Sequence, residues 1–182
     1  QQFPDSTSLY LDRGELYLLD ENIASAKSDF STCLLSGLIN ARVYVGLSQC
    51  MESLGFQDSA LYYVGLALDQ DRSNPPSLAL KGSLLLTTQR YCESLEIYSE
   101  LIAIARQPSP GLYIDAADAA RQCSETPHQA DQILREGMSR LGRLHVLEKA
   151  LVRVYLDEKK YAEALQVQTE IIDHWAVKTR PY

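Results

Sequence analysis

The chain repeats itself every 34 residues. Ala26 and Ala60 stand 34 apart, Ser94 follows after another 34, Ala130 after 36 and Ala164 after 34 again. The two extra residues fall in Ser124-Glu125-Thr126-Pro127, a polar stretch suited to a loop insertion. A second series, Gly14, Ser48 and Gly82, keeps the same period twelve residues ahead of the first three anchors. Val152 takes that place in the last copy, and the small residues Ala116 to Ala120 cover it in the fourth. A period of this length marks a stack of small supersecondary units, each unable to bury its apolar face alone. Small residues at a fixed place let two helices of one unit approach closely.

Between the anchors the apolar residues recur with helical spacing and do not alternate. Leu9, Leu16 and Leu19 with Tyr10 and Tyr17 make one stripe, and Leu61, Val64 and Leu68 a second. Leu95, Tyr98, Leu101 and Ile102 make a third, and Leu147, Leu151, Val154 and Tyr155 a fourth. Breaks fall at Gly37, Gly55, Asn74-Pro75-Pro76, Pro108-Ser109-Pro110-Gly111, Pro127 and Gly142. Proline there stops a helix or occupies a first turn. Asp20-Glu21-Asn22 and Asp157-Glu158-Lys159-Lys160 read as polar turns without proline. The pattern predicts ten helices paired as five hairpins, all-α, with no strand.

Composition narrows the function classes. The 182 residues are 46% hydrophobic and 23% charged, ordinary for a folded chain and too apolar for disorder. No run approaches the roughly 18 apolar residues that cross a bilayer. The formal net charge of -7 disfavours phosphate backbones, so nucleic acid is not an expected partner. Arg135, Arg140, Arg143 and Arg153 give the C-terminal part a milder basic character, which reads as a solvated helix face. The start Gln1-Gln2-Phe3-Pro4, followed by a polar run, fits a mature exported protein slightly better than a cytoplasmic one.

These places resemble the tetratricopeptide repeat (TPR), whose pattern runs aromatic, Leu, Gly, Tyr, then Ala and Phe. The first repeat reads Tyr10, Arg13, Gly14, Tyr17, Ala26, Phe30, and the second Tyr44, Leu47, Ser48, Met51, Gly55, Ala60, Val64. The third reads Leu78, Lys81, Gly82, Leu85, Tyr91, Ser94, Tyr98, and the fifth Leu151, Val152, Tyr155, Tyr161, Ala164, Leu165. The fourth keeps Ala130, Leu134 and Gly137, while its first helix shows no clear register. Arg13 and Lys81 depart from the pattern by replacing its Leu. The resemblance implies a right-handed α-solenoid superhelix of about five TPR-like helical hairpins. It would form a single domain over 1–182, with repeats at roughly 7–40, 41–74, 75–108, 109–144 and 145–178. Residues 179–182 would start a further repeat, with Tyr182 at the aromatic place.

The resemblance also implies a function: a scaffold that binds a peptide or protein segment along the concave side, which the first helix of each repeat lines. By that analogy the groove presents Leu11, Glu15, Gln49, Glu52, Ser83, Leu86, Tyr113, Lys149 and Arg153. One sub-family clamps C-terminal carboxylates of chaperones with Lys, Asn and Arg. Here those places hold Leu11, Glu15, Gly46, Pro76 and Leu80, which cannot hold a carboxylate. Two alternatives stand beside the scaffold. Copies could stack end to end as a homo-oligomer through an uncapped C-terminal helix carrying Ile171, Ile172 and Trp175, or the chain could be the recognition region of a larger protein.

Chemistry has little support in the residues. His128, His145 and His174 lie far apart, and no zinc-protease helix, phosphate loop or nucleophile elbow occurs. No enzyme activity, cofactor or metal is expected. Tyr62, Tyr63 and Tyr113 are the tyrosines that the repeat pattern leaves over as possible anchors. The four cysteines form no C-x-x-C pair. Cys92 opens one helix and Cys123 closes the next, which puts them at similar height, and Cys33 and Cys50 flank a turn less symmetrically. The expected state is nonetheless four reduced thiols packed as small core residues. A bridge would point to an oxidising compartment.

Overall fold

The computed structural model describes the backbone of residues 4–123 and 129–178 and the side chains of residues 7–123 and 129–174. Among them are ten helices and no strand. They are α1 (Pro4–Leu19), α2 (Ile23–Leu35), α3 (Ala41–Ser53), α4 (Gln57–Gln70), α5 (Pro75–Thr87), α6 (Tyr91–Ile104), α7 (Pro110–Gln122), α8 (Ala130–Leu141), α9 (His145–Asp157) and α10 (Tyr161–Lys178). The chain divides into two compact units, residues 1–90 and 91–182, so the expected repeat 75–108 straddles their boundary. The inserted stretch 124–127, His128 and residues 179–182 lie outside the described residues, as does the side chain of Trp175.

Helix starts are set by side-chain caps. Asn22, Asn40, Asn74 and Ser109 each accept a hydrogen bond from the backbone N–H three residues on, at Ser25, Val43, Ser77 and Leu112. Each such cap is worth about 1 kcal/mol. Pro75 and Pro110 follow two of them at the first helical position, where no donor is lost. Four first helices end alike, on a residue in the left-handed region: Glu21, Gly55, Gln89 and Lys159, with φ of 57°, 80°, 62° and 59°. In each the following N–H reaches back five residues, as Phe56 does to the Met51 carbonyl at 2.8 Å. Gly55 and the polar turns around Glu21 and Lys159 mark three of these stops in the sequence, and Gln89 is the one left unmarked.

In the first unit the core forms around Phe30 of α2, with Ala26, Cys33, Val43, Leu47 and Cys50. A Cβ on Gly14 of α1 would stand 2.9 Å from the Phe30 ring, and one on Gly46 of α3 only 2.4 Å. The two glycines therefore form the slot that the ring fills. Ser48, at the small place of the second repeat, is buried and donates from Oγ to the Ala60 carbonyl of α4 at 2.8 Å, which satisfies its hydroxyl. A second cluster joins Met51, Ala60, Val64 and Leu84, seating α5 on α4.

Arg13, which replaces an apolar residue of the repeat pattern, has a partner. Its Nε and Nη2 hold the two carboxylate oxygens of buried Asp29 on α2 at 2.7 and 2.8 Å. Its guanidinium also lies 5.2 Å from the Tyr10 ring centre and 5.8 Å from that of Tyr17. A fork-on-fork ion pair stands where an apolar contact was expected. The α1 stripe needs correction: Leu9, Leu16 and Leu19 are exposed, and Leu11 and Gly14 face the core in their place.

In the second unit α7 and α9 lie side by side, with α8 and α10 packed behind them. Tyr113 fills the same role as Phe30. It is fully buried, and a Cβ on Gly137 of α8 would stand 2.7 Å from its ring. Three arginines of this half are engaged internally. Arg140 donates to the Ile102 and Ala105 carbonyls at the end of α6. Arg143 holds the buried carboxylate of Glu148 at 2.7 Å, and Arg135 donates to the Tyr155 hydroxyl at 2.9 Å.

The cysteine expectation is overturned in part. Cys92 of α6 and Cys123 at the end of α7 form a disulfide, with Cα atoms 4.9 Å apart, because both lie at one end of this antiparallel pair. Cys33 and Cys50 are free and buried, as expected of small core residues. Burial pushes both thiols up, the Cys50 thiol to about 11.

Two variants test this account by chemical denaturation. Gly46→Ala gains about 1 kcal/mol of helix propensity but meets a fixed ring, and overpacking costs about 1–3 kcal/mol. The expected net is a lower midpoint, and a higher one would show that the ring moves aside. Replacing Cys92 and Cys123 by Ser opens a loop spanning 31 residues. That should cost about 3–4 kcal/mol on the loop-closure account, and an unchanged midpoint in oxidised and reduced buffer would contradict the bridge.

Candidate partner-binding site

In the first unit α1, α3 and α5 lie side by side in that order. Counted from the caps Asn40 and Asn74, places five, nine and twelve of a first helix point to one side. Glu15, Gln49 and Glu52 stand at such places. The structure brings all three to one open cleft of about 780 Å³ at the C-terminal ends of α1 and α3. Leu18, Leu19 and Glu21 line it too, and Ile23 closes it from the start of α2. A smaller cleft of about 240 Å³ shares Glu15 and Gln49 and runs to Arg42 and to Pro76 of α5. Ser83 and Leu86, also on α5, are half-buried and line neither cleft.

Leu11 and Tyr113 are corrected from groove to core. Leu11 is 3% exposed and belongs to the Phe30 cluster, because Gly46 has no side chain to hold α3 away from α1. Tyr113 is misplaced by counting in steps of 34. The caps Asn40, Asn74, Ser109 and Leu144 are 34, 35 and 35 residues apart, so α7 starts one residue late. Tyr113 therefore stands four after its cap, level with Tyr44 and Leu78, at the large packing place. Ile114, one residue on, takes the groove place and lines a cleft of about 300 Å³ with Val146, Lys149, Ala150 and Arg153. Lys149 and Arg153 are thus brought together in the second unit. Arg153 is held by both carboxylate oxygens of Asp118 at 2.7 Å, while Arg121 bridges Asp118 and Asp157 at 3.5 and 2.9 Å.

The acids of the larger cleft differ in state. Glu15 is paired with Arg42, whose Nε and Nη2 reach its oxygens at 3.0 and 2.7 Å, with Asp12 at 3.1 Å beside them. These carboxylates push the Arg42 guanidinium up. The Glu52 carboxylate has no ion pair or hydrogen bond among the described residues, and partial burial pushes it up. Sequence reasoning missed Arg42, Leu18, Leu19, Glu21 and Ile23. Places two, twelve and thirteen of the helices, read from the caps, would have found the first three. No group of three or more His, Cys, Asp or Glu among the described residues is placed to hold a metal. No helix among them is long and apolar enough to cross a membrane.

No protein-family model matches the sequence, and no curated protein matches it significantly. Solved structures do match along nearly the whole length. MamA from Desulfovibrio magneticus RS-1 superposes with a TM-score of 0.80 at 12% identity, over 98% of this chain and 100% of that one. The fold is that of a tetratricopeptide repeat. Pseudomonas aeruginosa PilF gives 0.74 at 18% identity, over 98% of this chain and 78% of that one. YrrB, described as a TPR protein with an unusual peptide-binding site, gives 0.65 at 18% identity, over 79% and 73%.

The state of Glu52 predicts a pH effect. A carboxyl raised in the folded chain binds its proton more tightly there than when unfolded, so ionisation lowers stability as pH rises through the folded value. Glu52→Gln should therefore be more stable than the parent at pH 7. The difference should shrink toward zero as pH falls below about 4, the ordinary glutamate range. Glu15 and Glu21, the other carboxylates at this cleft, are left in place. Equal stability at pH 7 would mean that water already solvates the group fully.

Proposed function

We propose that the chain is a non-catalytic protein-interaction module whose first helices hold a segment of a partner protein carrying basic and apolar residues. The observation that carries this reading is the cleft between α1 and α3. Exposed Leu19 and half-buried Leu18 and Ile23 offer apolar contact there, and Glu52 and Glu21 offer charge that no cation of the described chain takes up. A Lys or Arg beside an apolar side chain would relieve the burial of Glu52 and cover the leucines in one step. The peptide-binding site described for YrrB supports the same mode by analogy. An immobilised array of peptides graded from acidic to basic tests it. Basic–apolar peptides should be retained, less so at high salt, and Glu52→Gln with Leu19→Ser should release them. Retention of acidic peptides instead, or binding unchanged by the pair of substitutions, would reject this face.

An exported location completes the reading. The Cys92–Cys123 bridge supports it, since such bonds persist in oxidising compartments. Protein taken from its native source, denatured without reductant and labelled with a thiol reagent, should show only the thiols of Cys33 and Cys50. Labelling of all four would place it in a reducing compartment.

A further inference from the structure

The first helices α3 and α5 each bury the residues three and ten places after their caps. Val43 and Cys50 of α3 sit against Ala26, Phe30 and Cys33 of α2. Leu84 of α5 sits against Ala60 and Val64 of α4, with Ser77 buried one heptad before it. Leu147 and Val154 of α9 are equally buried, with α8 alongside. The surface that covers these places is in every case the second helix of the preceding hairpin. On α1 the same two places, one period earlier, hold Leu9 and Leu16, and they are 66% and 64% exposed. A surface shaped for a second helix is thus bare.

The chain also carries a second helix with its matching side bare. One and eight places after the small anchor, α6 buries Leu95 and Ile102, and α4 half-buries Leu61 and buries Leu68. On α10 these places hold Leu165 and Ile172, 68% and 57% exposed. Gln168 and Thr169, which lie between them, are exposed and uncharged, so the strip carries no charge to repel a neighbour. Ile171, in contrast, is buried within the unit and is not part of this strip.

We infer that a second copy of the chain docks the Leu165–Ile172 strip of its α10 onto the Leu9–Leu16 strip of α1, repeating between copies the contact made within each. The groove reading uses Glu15, Leu18 and Leu19 of α1, which border this strip, and it does not use Leu9 or Leu16. The contact is heterologous, so each copy keeps one free strip and association continues head to tail. One helix pair buries less than about 1,200 Å², which places the contact among weak ones.

Light scattering of the whole chain from about 10 μM to 1 mM, a range set by such weak affinities, should show an average mass that climbs above 20.4 kDa. Leu16→Asp and Ile172→Asp should each hold the chain at monomer mass, with unchanged melting because both sites are exposed. Mixed in equal amounts, the two variants should form a 1:1 dimer and nothing larger, because each retains the strip that the other has lost. A parent chain that stays monomeric throughout overturns the inference. So does a variant that still associates, which would mean that like strips pair with like, or a mixture that stays monomeric, which would mean that the two strips do not meet.

Discussion

A ring held between two helices that lack side chains at the point of contact governs the rest of the molecule. Phe30 reaches from α2 into the slot formed by Gly14 and Gly46, and the approach of α3 to α1 is set by the thickness of one aromatic ring. The closeness of that approach buries Leu11, brings Arg42 within reach of Asp12 and Glu15, and sets the width of the cleft below them. Tyr113 against Gly137 repeats the device in the second unit with donor and acceptor helices exchanged: the ring now comes from the first helix and the glycine from the second. Interlocking a large residue with a small one fixes helix spacing more tightly than uniform packing of middle-sized residues, since no other rotamer or register fills the slot.

Most of the fold was legible because it is written several times. One 34-residue match is weak, but small anchors, Asn and Pro at starts, and glycine or polar residues at stops agree with one another in successive copies. What stayed hidden was carried by pairs of residues far apart in sequence. Arg13 looks like a defect until Asp29, on another helix, supplies its partner. The left-handed stop at Gln89 carries neither a glycine nor the polar run that marks those at Glu21 and Lys159. The Cys92–Cys123 bridge depends on two helix ends meeting, which equal height permits but cannot require. Leu9 and Leu16 read as core because helical spacing reports which residues share a face and says nothing of whether anything covers it.

The candidate site was read less well, for a related reason. Glu15, Gln49 and Glu52 line one cleft, as the 34-residue step kept by α1 and α3 implies. Tyr113 was misread because the step there is 35. Within the cleft the acids are not equivalent: Arg42 already holds Glu15, while Glu52 meets partial burial without a cation. An incoming positive charge therefore gains most at Glu52. In the second unit Arg153 is held by Asp118, and Lys149, which has no ion pair among the described residues, stands beside apolar Ile114 and Val146 in that cleft.

The late cap of α7 has a consequence for how such a surface could diversify. A helix turns about 100° per residue, so moving the cap by one residue along an unchanged helix sequence turns every side chain by about that angle. With the cap at Ser109 the buried packing place goes to Tyr113 and the open place beside it to Ile114. The surface of such a helix can therefore be dealt anew by a substitution that moves the cap, provided a neighbour such as Gly137 can receive what is turned inward.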